Sequence, residues 1–244
     1  MDHSEYIRIA ENSSNAVLMI HGIAGTPAHF RDLLPAIPDS WSVYNILLDG
    51  HGKMAADFSA TSMKKWKAQV AEVLQQLLER YEKIVIVAHS MGTLFAIQAA
   101  VNHPDRITAL FLLAVPLRVH VPLNTVAGGL RVALGKTQGH VVASAMADDC
   151  SIRHDGHLWK YIGWTPRLLE LLEEIRWVRG LLPRLRVPCQ AFQSETDELV
   201  SESAIRELER NRRIQVTVLK NSGHFAYGKE DAVLLRQRLQ EMLK

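Results

Sequence analysis

Residues 84–92 read Ile-Val-Ile-Val-Ala-His-Ser-Met-Gly, and the residues that follow, 93–101, carry a helical pattern. An apolar run, a five-residue turn centred on Ser90 and then a helix make a nucleophile elbow. The small residues Ala88 and Gly92 let strand and helix approach closely. A turn this tight holds its serine in a strained conformation and projects the hydroxyl above the sheet. Ser90 is therefore the candidate nucleophile. The remaining chain must supply a base, an acid to orient it and donors for an oxyanion.

On both sides of this unit, apolar strands alternate with helices. Strands are expected at 16–20, 43–48, 84–87, 107–115, 189–193 and 214–219. A short helix is expected around Phe30, Leu33 and Leu34, stopped near Pro35 and Pro38. Trp66, Val70, Val73, Leu74, Leu77, Leu78 and Tyr81 keep helical spacing, and Ser59, Thr61 or Ser62 can cap that helix. The helix at 91–101 is apolar on nearly all sides and should be buried. Helices are also expected at 201–209 and 231–243. Continuous apolar strands alternating with helices imply an α/β fold, with a mostly parallel central sheet and helices on both faces.

Residues 117–186 break this rhythm, with no convincing buried strand and several short helical patterns. The clearest is 166–179, where Thr165 can cap, Pro166 suits the first turn and Gly180 can end the helix. Leu168, Leu171, Leu172, Ile175 and Val178 would form its apolar face. The expected organisation is a core of 1–116 and 187–244 interrupted by a small helical cap at 117–186, with 166–180 alternatively a core helix. Such a cap covers the site and shapes its pocket.

Composition narrows the function. The chain has 244 residues, 48% of them hydrophobic, which is enough to bury one large core. Its 28 basic and 26 acidic residues leave a net charge of +2, so no electrostatic footprint for nucleic acid is present. Arg206, Arg210, Arg212 and Arg213 alternate with Glu202, Glu207 and Glu209 and read as a solvated face, with a phosphate-binding patch as the alternative. Only Cys150 and Cys189 are present, which excludes a disulfide scaffold. Residues 1–10 carry no signal-peptide core, and the longest apolar run, 109–117, falls short of the roughly 18–20 residues of a membrane span. A cytoplasmic location without stable membrane insertion is expected. No cofactor or metal is expected either.

In this kind of elbow fold the acid follows the nucleophile and the histidine comes last. Asp197 lies just past the strand at 189–193, and His224 follows the strand at 214–219. Both loops belong to the carboxyl edge of the sheet, where ligands bind in open α/β folds. Imidazole, with an ordinary pKa near 6.5, can take the serine proton and later return it to a leaving group. A carboxylate fixes its tautomer and stabilises the imidazolium. Glu195 and Glu198 are the alternative acids. The oxyanion donors are expected to be the backbone N–H of Met91 and, from the loop His21-Gly22-Ile23-Ala24-Gly25, that of Ile23.

His-Gly-x-x-Gly at 21–25, Asp-Gly-His-Gly at 49–52, Ala-His-Ser-Met-Gly at 88–92, Asp197 and Gly-His at 223–224 resemble the α/β-hydrolase superfamily, over nearly the whole chain outside the cap. Phe30-Arg31-Asp32-Leu33 and the short cap look like small bacterial carboxylesterases and monoacylglycerol lipases. The resemblance implies a serine hydrolase that cleaves a small-molecule carboxylic ester through an acyl-enzyme. It departs from the commonest pattern at Ala88, where glycine is usual. Thioesterase, carbon–carbon hydrolase and aminopeptidase chemistry use the same triad and stay open, as does a non-catalytic binding protein on the same scaffold. An aminopeptidase would want a cap acidic pair such as Asp148-Asp149, but adjacent carboxylates on a surface loop are expected to be solvated. His21 and His51 read as loop-fixing hydrogen bonders, His89 as a substrate contact or a structural group, and Asp49 as a turn residue. Trp159, Tyr161 and Trp164 read as pocket lining or as plain packing.

Overall fold

Strands that are apolar at nearly every position are satisfied only in a sheet covered on both faces. The computed structural model, which describes residues 3–120, 123–153 and 158–244, contains that sheet. In chain order its elements are β1 (Tyr6–Arg8), β2 (Asn15–Ile20), β3 (Ser42–Ile46), α1 (Ala55–Ala60), α2 (Met63–Arg80), β4 (Lys83–His89), α3 (Met91–Asn102) and β5 (Ile107–Leu113). There follow α4 (Leu123–Ala133), α5 (Val141–Asp149), α6 (Thr165–Leu181), β6 (Cys189–Ser194), α7 (Ser203–Glu209), β7 (Ile214–Leu219) and α8 (Lys229–Met242). Strand order is β1-β3-β2-β4-β5-β6-β7, with β1 antiparallel to β3 and the other pairs parallel. This is the expected α/β-hydrolase architecture. No helix among the described residues is long and apolar enough to cross a membrane.

Alternate strand residues face opposite sides, so each strand feeds two cores. Leu18, Ile20, Ile84, Ile86, Leu110 and Leu112 meet Trp66 and Leu74 of α2 and Leu94 and Ile97 of α3. Val17, Met19, Val85, Val87, Phe111 and Phe192 meet Phe30, Trp41 and the α8 residues Leu235 and Leu239. Each such side chain contributes about 1.5–3 kcal/mol when taken fully out of water. α3 is buried around almost its whole circumference, as its composition requires.

Several local expectations are corrected. The segment at 27–36 forms two 3-10 turns, Pro27–Phe30 and Leu34–Ala36, because its prolines remove the amide donors a longer helix needs. Ser62 is the residue that caps α2, accepting from Lys65 N at 3.2 Å. α6 begins at Thr165 itself, with no capping side chain, and runs through Gly180. Its apolar face is divided: Ile175 and Val178 join the core, whereas Leu168 is 51% exposed and Leu172 is also exposed. α6 is tied to the core by the buried Glu174, which accepts from Lys67 Nζ at 3.0 Å and from Gln98 Nε2. The short β1 and α1 carry too few residues to show a period, so sequence patterning missed both.

Gly92 marks the tightest approach in the fold. A Cβ there would sit 2.2 Å from Ile20 O and 2.8 Å from His21 O. Gly92→Ala is expected to lower stability at the upper end of the about 1–3 kcal/mol typical of overpacking. Urea unfolding checks this, and an unchanged midpoint would contradict it.

Candidate active site

The elbow puts Ser90 at φ 49° and ψ −122°, one of four described non-glycine residues with positive φ. Its N–H donates to Leu113 O at 2.9 Å, and its carbonyl accepts from Thr93 N at 2.9 Å and Thr93 Oγ1 at 2.6 Å. Opposite, Gly22 leaves the space, since a Cβ there would lie 2.9 Å from Ser90 Cβ. The hydroxyl faces His224, with Oγ to Nε2 at 3.1 Å. His224 Nδ1 lies 3.0 Å from both carboxylate oxygens of Asp197. A carboxylate only accepts, so Nδ1 carries the proton and the neutral ring turns the Nε2 lone pair to the serine. Asp197 Oδ1 also accepts from Leu199 N at 2.8 Å and Val200 N at 2.7 Å. All three side chains are buried.

Burial pulls the His224 pKa down, but the charge and hydrogen bond of Asp197, with Asp149 and Glu198 adding, hold it above the usual 6.5. Burial likewise raises the Asp197 carboxyl, yet His224 and the Val200 and Leu199 amides bring it below the usual carboxylate value. The pair thus favours its ionised form over two neutral groups.

The loop carrying His224 is fixed by a device that spacing arguments missed. Ser194 Oγ donates to Gly223 O at 2.9 Å, Thr196 Oγ1 to Ser222 O at 2.9 Å, and Glu198 Oε2 accepts from His224 N at 2.5 Å. Alternate residues of 194–198 therefore grip the backbone while Asp197 holds the ring. Gly223 must lack a side chain, because a Cβ would come 2.7 Å from both Glu198 oxygens. Glu198 is not beside the imidazole ring nitrogen, and Glu195 is exposed. From below, Asp231 Oδ2 accepts from Ser222 Oγ at 2.7 Å and Asn221 N at 2.9 Å.

On the facing loop, His21 Nδ1–H donates to Gly22 O at 2.8 Å, and Nε2 accepts from Leu48 N at 3.1 Å. Burial lowers its pKa to about 4, so it stays neutral. His51 packs on it edge-on, with ring centroids 4.7 Å apart, and burial holds its pKa well below 6.5 as well. Both are loop-fixing groups. Ser151 N, entering from the cap side, donates to Ala24 O at 2.9 Å. The Ile23 and Met91 amides donate to no acceptor among the described residues. Asp49 sits in its turn, accepting from Thr61 Oγ1 at 2.8 Å.

His89 has the structural role: its Nε2–H donates to His224 O at 3.1 Å. His29 stacks on it at 3.8 Å between centroids and bonds Asp149 Oδ1 through Nδ1 at 2.6 Å and Tyr227 OH through Nε2 at 3.0 Å. The expectation that Asp149 is solvated is corrected, since it is 8% exposed and ends α5 against the core. His29, His89 and Asp149 bring their ligand-type atoms within 4.8 Å; the bond between His29 and Asp149 engages two of them, while His89 Nδ1 is enclosed without a partner.

A cavity of about 590 Å³ opens beside Ile23 and Phe225. Leu130, Met146, Ile162, Trp164 and Leu168 are among its apolar walls, and Asp149 is its one charged lining residue among those described. Tyr161 and Trp164 thus line a pocket, while the Trp159 side chain lies outside the described residues.

Comparison with known proteins gives a match of residues 11–225 to the family described as serine aminopeptidase, S33. The chain is 27% identical to the thermostable monoacylglycerol lipase of Bacillus sp. (strain H-257), across 95% of this chain and 91% of that one. In solved structures it resembles a chain from work on LipS and LipT, two metagenome-derived lipolytic enzymes. That likeness has a TM-score of 0.75 at 20% identity, covering 98% and 97% of the two chains. It also resembles the Paleococcus ferrophilus monoacylglycerol lipase, with a TM-score of 0.67 at 16% identity and 99% of each chain covered.

Glu198→Gln removes one of the negative charges that raise the His224 pKa. The imidazole titration followed by NMR is expected to move to lower pH, and an unmoved titration would contradict the placement of Glu198.

Proposed function

Because the chain belongs to the serine aminopeptidase S33 family and is a hydrolase of the carboxylesterase type, we propose that it hydrolyses small carboxylic esters through an acyl-enzyme on Ser90. The observation that carries this reading is the continuous contact from Ser90 Oγ to His224 Nε2 and from His224 Nδ1 to Asp197. His224 takes the serine proton as Oγ attacks the ester carbonyl, and Asp197 stabilises the imidazolium that forms. The Met91 and Ile23 amides, free of other acceptors among the described residues, hold the oxyanion. His224 then protonates the departing alcohol. Water, activated by the same imidazole, releases the acid.

The apolar cavity favours an alkyl acyl chain over a polar one, with 117–164 acting as the cap and α6 as part of the core. An aminopeptidase reading draws on the family's description and on Asp149 as an anchor for a free amine. The ester reading is preferred because Asp149 is already engaged by His29 and its surroundings in the cavity are apolar. A cytoplasmic location belongs to the same reading, in which the free thiols Cys150 and Cys189 suit a reducing compartment.

p-Nitrophenyl ester assays test this directly. Ser90→Ala is expected to abolish turnover, and Asp197→Asn to cut kcat by roughly 10⁴ through loss of the tautomer. Retained activity in Ser90→Ala, or hydrolysis of aminoacyl p-nitroanilides in preference to esters, would overturn the reading. Since His224 acts only when neutral and its pKa lies above 6.5, kcat/KM should rise with pH and reach half its plateau above pH 6.5. A half-point below that value would contradict the assignment. Gly129→Phe, which adds a ring to the cavity wall, should lower kcat/KM for a decanoyl ester by about tenfold while sparing the acetyl ester. Equal effects on both esters would remove the cavity from acyl binding.

A further inference from the structure

A second cleft, also of about 590 Å³, lies between α6 and the α7–β7 turn, and shares no lining residue with the cavity beside Ile23 and Phe225. Three separate segments bring five arginines to it. Arg118 comes from the segment after β5, Arg176 and Arg179 from α6, and Arg210 and Arg212 from the turn. Glu207 is its single acidic lining residue among those described, and both carboxylate oxygens are occupied. Oε1 accepts from Arg118 Nη2 at 2.6 Å, and Oε2 from Arg210 Nη1 at 2.7 Å. The Arg118 hydrogen bond holds that carboxyl below its usual pKa, so Glu207 stays charged and engaged.

Arg176, Arg179 and Arg212 then make no salt bridge among the described residues, although Arg179 is near enough to Glu207 to help hold its carboxyl charged. Arg179 Nε is enclosed and has no acceptor. Enclosed donors in native structures find partners, so this one is open to a ligand group or a water. Arg206, Arg210, Arg212 and Arg213 are all exposed, as a solvated charge run requires, and Arg210 and Arg212 also border the cleft, as does the exposed Arg176. A concave surface of one sign focuses its field, in a chain whose net charge is only +2. Guanidinium forks converging from different directions match an anion with several tetrahedral oxygens. The cleft is the size of a small-ligand site rather than a flat docking face, and Leu182 gives it an apolar floor.

We propose that this cleft is a second binding site, for a small phosphate-bearing molecule. The phosphate oxygens meet Arg176, Arg179 and Arg212, and the rest of the ligand lies over Leu182.

Calorimetric titration of the full chain with inorganic pyrophosphate and with ADP, at fixed ionic strength, tests it. Saturable binding of one equivalent is expected, weakening with added sodium chloride. It should weaken by about tenfold or more in Arg176→Gln/Arg179→Gln, with ester hydrolysis retained as evidence that the variant is folded. Arg212→Gln serves as a second variant should the first fail to fold. ADP binding tighter than pyrophosphate would locate an organic portion on Leu182, and equal binding would assign recognition to the phosphates alone. No saturable binding of either probe, undiminished binding in the folded variants, or tighter binding of an oligoglutamate peptide than of both phosphates would overturn the proposal.

Discussion

The backbone of Ser90 at φ 49° and ψ −122° is the constraint around which the carboxyl edge of the sheet is built. A non-glycine residue in this region costs about 1–3 kcal/mol and persists only where its surroundings over-determine it. The surroundings here are specific. The Ser90 N–H and carbonyl are both bonded, to Leu113 and Thr93. Gly22 and Gly92 leave out side chains that would collide with Ser90 and with the end of β2. One hydrophobic core packs α3 against β4 and the other backs the opposite face of β4, so stability drawn from the whole sheet offsets the local strain.

The imidazole opposite Ser90 needs comparable restraint, because a misplaced base loses much of its effect. Its ring is held by Asp197 and its backbone by Ser194, Thr196, Glu198, Asp231 and His89 through short loops after β6 and β7. These bonds lie at the ends of parallel strands that lock in register, Cys189 with Ile214 through Ser194 with Leu219. The β6–β7 pairing thus sets the distance between acid and base. The cap is linked to the same edge: Ser151 bonds the Ala24 carbonyl of the facing loop, and Asp149 reaches His29 beneath His89. A change in cap packing therefore has a direct route to both the loop at 21–25 and the His224 backbone.

Much of this could be read in the residues. Continuous apolar strands and an amphipathic α2 marked the parallel sheet, and the order of Ser90, Asp197 and His224 placed three loops at one edge, where the structure brings their side chains into contact. β1 has three residues, none of them buried, and α1 has fewer than two helical turns, so neither repeats often enough for its period to register. The short turns at 27–36 depend on proline chemistry more than on apolar spacing. Long-range polar contacts were illegible for a different reason. Nothing in the local sequence of Asp149 indicates burial, because its partner His29 lies 120 residues away. Glu198 looked like an alternative acid for the ring, and only the folded loop shows it holding the main chain instead.

We propose that one serine, Ser90, is activated by the geometry of the elbow and its imidazole. Reaction of the native protein with a fluorophosphonate, followed by intact mass and peptide mapping, measures this most directly. The account predicts one covalent adduct per chain, on the peptide containing Ser90, formed more slowly at low pH as His224 becomes protonated. An adduct on a different residue, or a folded protein that takes up no label while its His224–Asp197 pair is intact, would contradict it.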